Sequence, residues 1–369
     1  MNTSWERITA WRLDRHALIR PEQADRWLEV VSRIGGLHAQ VLSAAEQALA
    51  VRVSGLPPGH LAASLWRSKS LLKTWAMRGT LHLVPAADFP ELIAALSTLR
   101  HYLRPHWLKY FGVTEAQMLG LIDAMAAELS HRGMTREVLA ARVAKRMRRP
   151  AMAAKLTQSW GTLLKPAAFR GHLCFGPSEG QLVTFVRPDR WLGRTWTAPD
   201  PAGSLHAVAR RYLEAYGPAS AADFSRWLGL DASAARRVFR ELADELEEVS
   251  VGAWRGFLLA RSVAALRDAE PPTSIKLLPY FDPYTVAVSP QAQYLFPARL
   301  RARVYRPQGW ISPVVLVDGR IAGTWSQERK GAVMTIRTDL FGRLPAGRRD
   351  ELAEAVAGLR NLVATPVRP

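Results

Sequence analysis

The chain of 369 residues is 48% hydrophobic and 22% charged, an ordinary globular composition that is long enough for roughly two to four domains. Its 50 Lys and Arg against 32 Asp and Glu give a formal net charge of +18, which favours a polyanionic partner such as nucleic acid, although other Arg-rich soluble proteins share such a charge. The single cysteine, Cys174, excludes an internal disulfide and a multi-cysteine zinc site. The sequence lacks a run of about 20 apolar residues, which predicts a cytoplasmic protein without a membrane partner.

The N-terminal part of the chain predicts two helices followed by a strand. The first helix begins near Pro21 and should end at Gly35 and Gly36, and a second helix should follow directly after them. The apolar run that ends at Pro85 is typical of a short strand. Helix, helix and strand in this order indicate a winged-helix unit.

The same pattern returns between Thr114 and Arg149. A helix around residues 118–129 is followed by a turn and by a second helix with Glu137 in its first turn. Two apolar runs then flank the polar turn Ser178-Glu179-Gly180 and predict a β-hairpin, which would serve as a wing.

The clearest helix-turn-helix pattern covers residues 205–249, with breaks at Gly217-Pro218 and at 229–233. The helix after the second break would present Arg236 and Arg237 on an exposed face. An ordinary three-helix bundle with a solvated basic face is the alternative. The net charge and the wing-like run that follows favour nucleic-acid contact.

Beyond residue 272 the periodicity is mostly that of strands, with Asp318-Gly319 as a hairpin turn. This part predicts a small β-domain, closed by a helix over residues 349–363. The sequence has no long linker and no low-complexity segment.

The sequence lacks the motifs of the common cofactor-dependent and nucleophilic enzymes. It contains no Walker A loop, no Gly-rich dinucleotide fingerprint, no HExxH and no GxSxG. The nine histidines are scattered, without ligand spacing on one helix. We therefore expect no cofactor and no metal.

One polar pair in an apolar setting is the candidate for chemistry. His38 and Gln40 stand on either side of Ala39, just after the double-glycine turn. At such a place the two side chains can converge on one small molecule. The alternative is that both only cap or hydrogen-bond the neighbouring backbone.

These residues carry a family resemblance that spans nearly the whole chain. Gly36-Leu37-His38-Ala39-Gln40 resembles the GLQAQ motif of the bacterial AlkZ-like winged-helix DNA glycosylases, relatives of the azinomycin-resistance glycosylase, in which a Gln-apolar-Gln or Gln-apolar-Asp triplet is credited with catalysis. Histidine at the first position resembles the variant in producers of pluramycin-type alkylators. Further stretches match in the same order: RGTLHLVP from Arg78, FGP after Cys174, YGPAS from Tyr216, LLPYFDPY from Leu277 and VDGRIAGTW from Val317.

The resemblance implies an α+β, mainly α fold of three tandem winged-helix units followed by a C-terminal β-barrel-like domain. In this chain we expect the unit with the catalytic motif at residues 1–110 and the second unit, with its β-hairpin, at residues 111–200. The third unit is then expected at residues 201–268, and the barrel-like domain with its C-terminal helix at residues 269–369.

The activity that the resemblance implies is that of a monofunctional DNA glycosylase, which hydrolyses the N-glycosidic bond of bulky N7-alkylguanine adducts and provides self-resistance to an intercalating alkylating natural product. The alkylated base is cationic and leaves without protonation, so the protein has to stabilise an oxocarbenium-like sugar and to place a water. Gln40 would hold the water. His38 would either accept its proton or orient it, and both roles need the neutral imidazole.

The partner is then double-stranded DNA carrying alkylated purines, bound by a protein that we expect to be monomeric. The candidate DNA contacts are Arg33, Arg52, Arg78, Thr80, His82, Arg170, Arg236 and Arg237. For Thr80 and His82 the alternative is packing within a wing. The alternative function is a non-catalytic winged-helix regulator or adduct sensor, since the same scaffold serves many regulators.

Overall fold

The computed structural model of the chain describes residues 1–159, 161–287, 292, 294–330, 333–344 and 347–364. By compactness the chain divides into two units. Unit 1 comprises Met1–His60, Ala209–Trp227 and Ala232–Pro369, and unit 2 comprises Leu61–Val208 and Leu228–Asp231. This division is coarser than the four domains expected from the sequence, which stay a prediction.

The architecture is α+β with helices predominating, as predicted. The α-helices are α1 (Trp5–Arg15), α2 (Trp27–Arg33), α3 (Leu42–Ala50), α4 (His60–Trp66), α5 (Phe89–Leu96), α6 (Pro105–Phe111), α7 (Glu115–Glu128), α8 (Arg136–Arg146), α9 (Ala151–Gln158), α10 (Lys165–Phe169), α11 (Pro188–Leu192), α12 (Pro201–Tyr216), α13 (Ala221–Leu228), α14 (Ala232–Glu241), α15 (Val263–Arg267), α16 (Pro283–Ala287), α17 (Arg301–Val304) and α18 (Arg348–Ala364).

The strands form small antiparallel groups. They are β1 (Leu37–His38), β2 (Leu71–Trp75), β3 (Leu81–Pro85), β4 (Met134–Thr135), β5 (Cys174–Glu179), β6 (Leu182–Val186), β7 (Leu246–Val251), β8 (Trp254–Leu259), β9 (Ile275–Leu278), β10 (Val314–Val317), β11 (Arg320–Lys330) and β12 (Val333–Leu340). Strand β2 pairs with β3, β6 lies between β4 and β5, and β7 pairs with β8. The last four strands form one sheet in the order β12-β11-β10-β9.

Side-chain caps determine where the second predicted pair of helices begins. Thr114 and Gln117 form a capping box at the start of α7, and the Thr135 hydroxyl accepts the N–H of Val138 at the start of α8. Each cap satisfies backbone donors that the first turn of a helix leaves without partners. The two helices predicted for this part of the chain are confirmed.

Two predicted hairpins are also confirmed, each at the turn that the sequence indicates. Strands β5 and β6 pair around Gly180, whose φ is 59°. Strands β10 and β11 are joined by Asp318 and Gly319, with φ values of 51° and 78°. Two consecutive residues with positive φ make the tight turn that matches the twist of paired strands, and Asp-Gly is a sequence that accepts it.

The C-terminal β-domain differs from the expectation of a barrel. Within the described residues the sheet is open, with β9 at one edge and β12 at the other, whereas a closed barrel would require its first and last strands to pair. Helix α18 covers one face instead, where Leu359 packs in an apolar cluster with Trp325 and Ile336. Burying that face against a helix removes the apolar surface that closure would otherwise hide.

The core of unit 1 joins the two ends of the chain. Leu13 at the end of α1 and Leu18 just after it share one buried cluster with Leu278, Leu316 and Ile321 of the C-terminal sheet. The segment after β9 therefore belongs to the same compact unit as the stretch that carries His38, although more than two hundred residues separate them in the sequence.

Candidate active site

The double-glycine turn places the candidate motif by backbone geometry. Gly35 and Gly36 have φ values of 72° and 106°, and the N–H of Gly36 donates to the carbonyl of Val31 at 2.8 Å to close helix α2. A Cβ on Gly35 would lie 2.9 Å from the ring of Trp227. Positive φ and this close approach both require glycine, and the chain leaves the turn directly into β1.

His38 and Gln40 contact each other but differ in exposure. His38 is buried, with 7% of its surface exposed, whereas Gln40 is exposed. The backbone N–H of Gln40 donates to Nδ1 of His38 at 3.4 Å. Because Nδ1 accepts this bond, the proton of the neutral ring lies on Nε2, which makes Nε2 a hydrogen-bond donor.

The predicted second helix begins later than expected. Leu37 and His38 are extended, in β1, and α3 begins only at Leu42. Extended backbone at the motif is what allows the Gln40 N–H to reach back to the imidazole, since a helix would commit that N–H to the carbonyl four residues earlier.

An aromatic group adjoins the imidazole. The ring of Phe281 stacks on His38, with centroids 4.7 Å apart and planes at 15°. Trp310 also packs against Phe281, with centroids 5.1 Å apart, and is 40% exposed. The site thus combines a buried imidazole with an exposed aromatic surface about one ring away.

A buried ion pair supports the turn that carries Phe281. Arg52 donates from Nη1 and Nη2 to the two carboxylate oxygens of Asp282, both at 2.7 Å, and neither side chain has any exposed surface. Asp282 also accepts the N–H of Tyr284 at 2.9 Å. Phe281 has a φ of 56°, which is costly for a residue with a side chain and persists only where its surroundings impose it.

This pair corrects one sequence prediction. Arg52 was expected among the phosphate contacts, but its guanidinium is fully buried and bound bidentately to Asp282, so it has no surface to offer to DNA. A basic residue next to apolar neighbours looks the same in the sequence whether it faces solvent or the core, and Arg52 lies in the turn after α3.

Helix α3 brings two further polar groups that sequence reasoning missed. Oε1 of Glu46 is buried without a hydrogen-bond partner, and burial raises the pKa of this carboxyl group. Gln47 is buried and donates from Nε2 to Oε1 of Gln327 at 3.1 Å, which ties α3 to strand β11. Both residues follow the motif within two turns, and that proximity was the available signal.

The other candidates in unit 1 differ in accessibility. Arg33 is mostly buried and forms an ion pair with Glu22 at 2.9 Å. Arg236 and Arg237 are exposed on α14, whose opposite face buries Val238 and Phe239. The exposed basic face predicted for this helix is therefore present, and its contact with DNA stays a prediction.

The candidates in unit 2 lie around the β2-β3 connection or near it. Arg78 has a φ of 56°, Thr80 donates its hydroxyl to the carbonyl of Met77 at 3.0 Å, and Nδ1 of His82 lies 2.9 Å from the carbonyl of Thr80. His82 is buried, so these local bonds support packing within the turn for Thr80 and His82. Arg170, half-buried, donates to the hydroxyl of Tyr102 at 3.1 Å.

Within the described part of the chain, no group of three His, Cys, Asp or Glu side chains could hold a metal ion. Cys174 is buried, and burial raises the pKa of its thiol. None of the described helices has the length and apolar character to cross a membrane.

Comparison with known proteins finds relatives over the full length. Residues 31–362 match the family described as DNA glycosylase AlkZ-like. The chain is 35% identical over 372 residues to a curated protein of Streptomyces sahachiroi named interstrand DNA cross-link repair glycosylase, with all of both chains covered. It is also similar to the solved structure of Streptomyces sahachiroi DNA glycosylase AlkZ, with a TM-score of 0.90 and 33% identity over 100% of this chain and 98% of that one.

Proposed function

Since the chain belongs to the AlkZ-like DNA glycosylase family, we propose that it hydrolyses the N-glycosidic bond of bulky N7-alkylguanine adducts in double-stranded DNA. The observation that carries the proposal is the hydrogen-bonded pair of His38 and Gln40, placed by the double-glycine turn and stacked on Phe281. Family membership makes the chain a DNA glycosylase, and the proposal adds the substrate and the residues.

Little acid catalysis is needed for this substrate. Alkylation at N7 leaves a positive charge on guanine, which makes the base a good leaving group as the bond to C1′ breaks. The remaining task is to hold a water against the oxocarbenium-like sugar. The exposed amide of Gln40 would accept a hydrogen bond from that water through its side-chain oxygen.

The hydrogen bond at Nδ1 supports an orienting role for His38. With the ring proton on Nε2, the imidazole would donate a hydrogen bond that orients the attacking water and would not start as a base, so the proton that this water loses on bonding to C1′ passes to solvent. A glutamine amide can take the place of His38 in this orienting role. This agrees with the Gln-apolar-Gln motif of the family, in which glutamine occupies the position of His38.

The aromatic group supports a bulky adduct. Trp310 is exposed and lies one ring beyond Phe281, so a flat adduct attached to the guanine could stack on it. Stacking of one ring on an exposed aromatic side chain contributes about 1–3 kcal/mol. We propose that this contact serves self-resistance to an intercalating alkylating compound.

The scaffold proposed for DNA binding is the set of winged-helix units. Helices α12, α13 and α14 are followed by the β7-β8 hairpin, which is the order of a winged helix. Arg236 and Arg237 on α14 would contact phosphates. We propose that the protein acts in the cytoplasm as a monomer.

A comparison of two substrates tests the proposed specificity. One duplex carries N7-methylguanine and the other a planar polycyclic adduct at guanine N7, and release of free base is measured under single-turnover conditions. We expect faster release of the bulky base. Trp310→Leu should lower that rate about tenfold, in keeping with the loss of one stacking contact, and leave N7-methylguanine release unchanged.

The matched control is Tyr110→Leu, because Tyr110 is also an exposed aromatic residue, at 83%, and its ring packs on Phe111 rather than on Phe281. Equal rates for the two duplexes, or an equal loss on both in Trp310→Leu, would contradict the proposed preference.

A further inference from the structure

A cavity lies in unit 1 beside the candidate active site. Its volume is about 450 Å³, and neither His38, Gln40 nor Phe281 lines it. Side chains from α1 and α12 meet there with side chains from the segments around Asp223, Trp254 and Tyr294. Its size is that of a site for a small organic molecule.

Aromatic rings form most of the cavity wall. Tyr212, Tyr216 and Tyr284 are buried in it. At the half-buried rim, Trp5 stacks on Tyr294 with centroids 3.9 Å apart and planes at 5°, and Trp254 lies 4.7 Å from Trp5. Such walls favour a flat, unsaturated ligand, because ring faces and edges both offer favourable contacts to another ring.

Arg12 brings a buried positive charge to the cavity without an acidic partner among the described residues. It is 9% exposed and donates to the carbonyls of Gly217 and Pro218 at 3.1 and 2.7 Å and to the hydroxyl of Tyr294 at 2.6 Å. A guanidinium has five N–H donors, and these bonds use three of them. A buried cation that lacks a carboxylate attracts an anionic or strongly polar oxygen.

The one carboxylate that lines the cavity is already engaged. Asp223 accepts the N–H and the hydroxyl of Ser220 and the guanidinium of Arg226. Its charge is therefore balanced locally and does not balance the charge of Arg12.

His16 provides a second polar group directed at the cavity. It is fully buried, and within the described chain neither ring nitrogen makes a hydrogen bond. Burial lowers its pKa well below the usual value, with further lowering by the charges of Arg52 and Arg12, while a contact with the backbone of Ala215, outside the geometry of a formed hydrogen bond, acts in the opposite direction. The ring is therefore neutral and offers one donor and one acceptor.

An unpartnered buried imidazole is costly. Leaving a buried donor or acceptor unsatisfied is unfavourable, and such groups in folded proteins usually have a reason. Edge contacts of the ring with Tyr216 and Tyr284, at 4.8 and 5.6 Å between centroids, hold it in place without satisfying its nitrogens.

We propose that this cavity binds a planar aromatic molecule that carries a carboxylate or carbonyl oxygen. The rings of the ligand pack against the tyrosines and tryptophans, its oxygen accepts the free N–H groups of Arg12, and His16 hydrogen-bonds to a polar atom on its edge. This site is independent of the proposed base excision and is occupied without DNA.

The test uses the full-length protein without DNA and anthraquinone-2-carboxylate as the probe. Quenching of tryptophan fluorescence and titration calorimetry should show saturable binding with one probe per chain. His16→Phe keeps the ring shape and removes both nitrogens, and it should weaken binding about tenfold, the loss expected for one hydrogen bond to a charged or polar ligand. The control is His60→Phe, since His60 also has a buried ring nitrogen without a partner but does not line the cavity.

A second variant tests the proposal if the first variant does not fold. Trp5→Leu removes a ring from the half-buried rim and should weaken binding to a similar extent, and thermal melting reports whether each variant folds. No saturable binding by the wild type would overturn the proposal, as would unchanged affinity in both His16→Phe and Trp5→Leu, or in Trp5→Leu alone if His16→Phe does not fold. Base release from DNA should be unchanged in these variants, so failure here is distinguishable from failure of the glycosylase mechanism.

Discussion

Replacing His38 with alanine should slow single-turnover release of the alkylated base by about 10²- to 10³-fold, the range found when one preorganised hydrogen-bond donor is removed from an active site. Gln40→Ala should have an effect of the same size. DNA affinity should be nearly unchanged, because neither side chain carries charge that would pair with phosphate. Gel-shift titration and chromatography of the released base measure the two quantities on the same samples.

His38→Gln separates the roles that an imidazole can have. A glutamine amide donates a hydrogen bond but does not take up a proton near neutral pH, so this variant should keep most of the activity if His38 orients the water. The matched control is His131→Ala, since His131 is exposed and lies in unit 2. Activity of His38→Ala equal to wild type, or loss in His38→Gln as deep as in His38→Ala, would contradict the assigned role.

Arg52→Met should lower the free energy of unfolding by about 3–5 kcal/mol, because it leaves the carboxylate of Asp282 buried without its partner. Urea unfolding followed by tryptophan fluorescence measures the loss. Base release should fall as well, since Asp282 holds the turn that places Phe281 against His38.

Two further variants show whether the loss arises from burial of the pair. Arg52→Met combined with Asp282→Leu removes both charges and should recover part of the stability. Arg26→Met breaks exposed ion pairs with Glu22 and Glu29 and should cost less than about 1 kcal/mol. A cost for Arg52→Met no greater than that for Arg26→Met would show that the buried pair does not hold the turn.

Local features of the fold were predictable because their causes lie within a few residues. Positive φ at Gly35 and Gly36 stops a helix, and Asp318 with Gly319 makes a hairpin turn, whatever the rest of the chain does. The capping box at Thr114 works in the same way. The double-glycine turn, the two hairpins and the starts of α7 and α8 therefore follow from the sequence, whereas the helix expected from Pro21 begins only at Trp27.

Features that depend on distant partners were not predictable in this way. Arg52 and Asp282 are 230 residues apart, and only the folded core shows that the guanidinium faces inward. The stacking of Phe281 on His38 and the cavity around His16 also depend on residues that are far apart in the sequence. The expected barrel-like domain is not confirmed, and the described sheet is open, because strand periodicity does not reveal whether the edge strands pair or a helix covers the sheet.

In the proposed mechanism water, and not an amine of the protein, attacks C1′. Burial lowers the pKa of Lys276 on β9, and likewise of Lys73 and Lys165 in unit 2, and a lysine with a lowered pKa is the type of group that forms a Schiff base with an abasic sugar. Whether such an adduct forms is therefore a decisive observation.

Mass spectrometry of a reaction with a duplex carrying one N7-alkylguanine tests the central claim most directly. We expect free alkylated guanine in solution, an intact strand with an abasic site that breaks only on alkali treatment, and no protein-DNA adduct after borohydride reduction. If the duplex is bound while the adduct stays on it, the protein is a DNA-binding regulator or adduct sensor, and if borohydride traps the protein on the strand, the water mechanism at His38 and Gln40 is wrong.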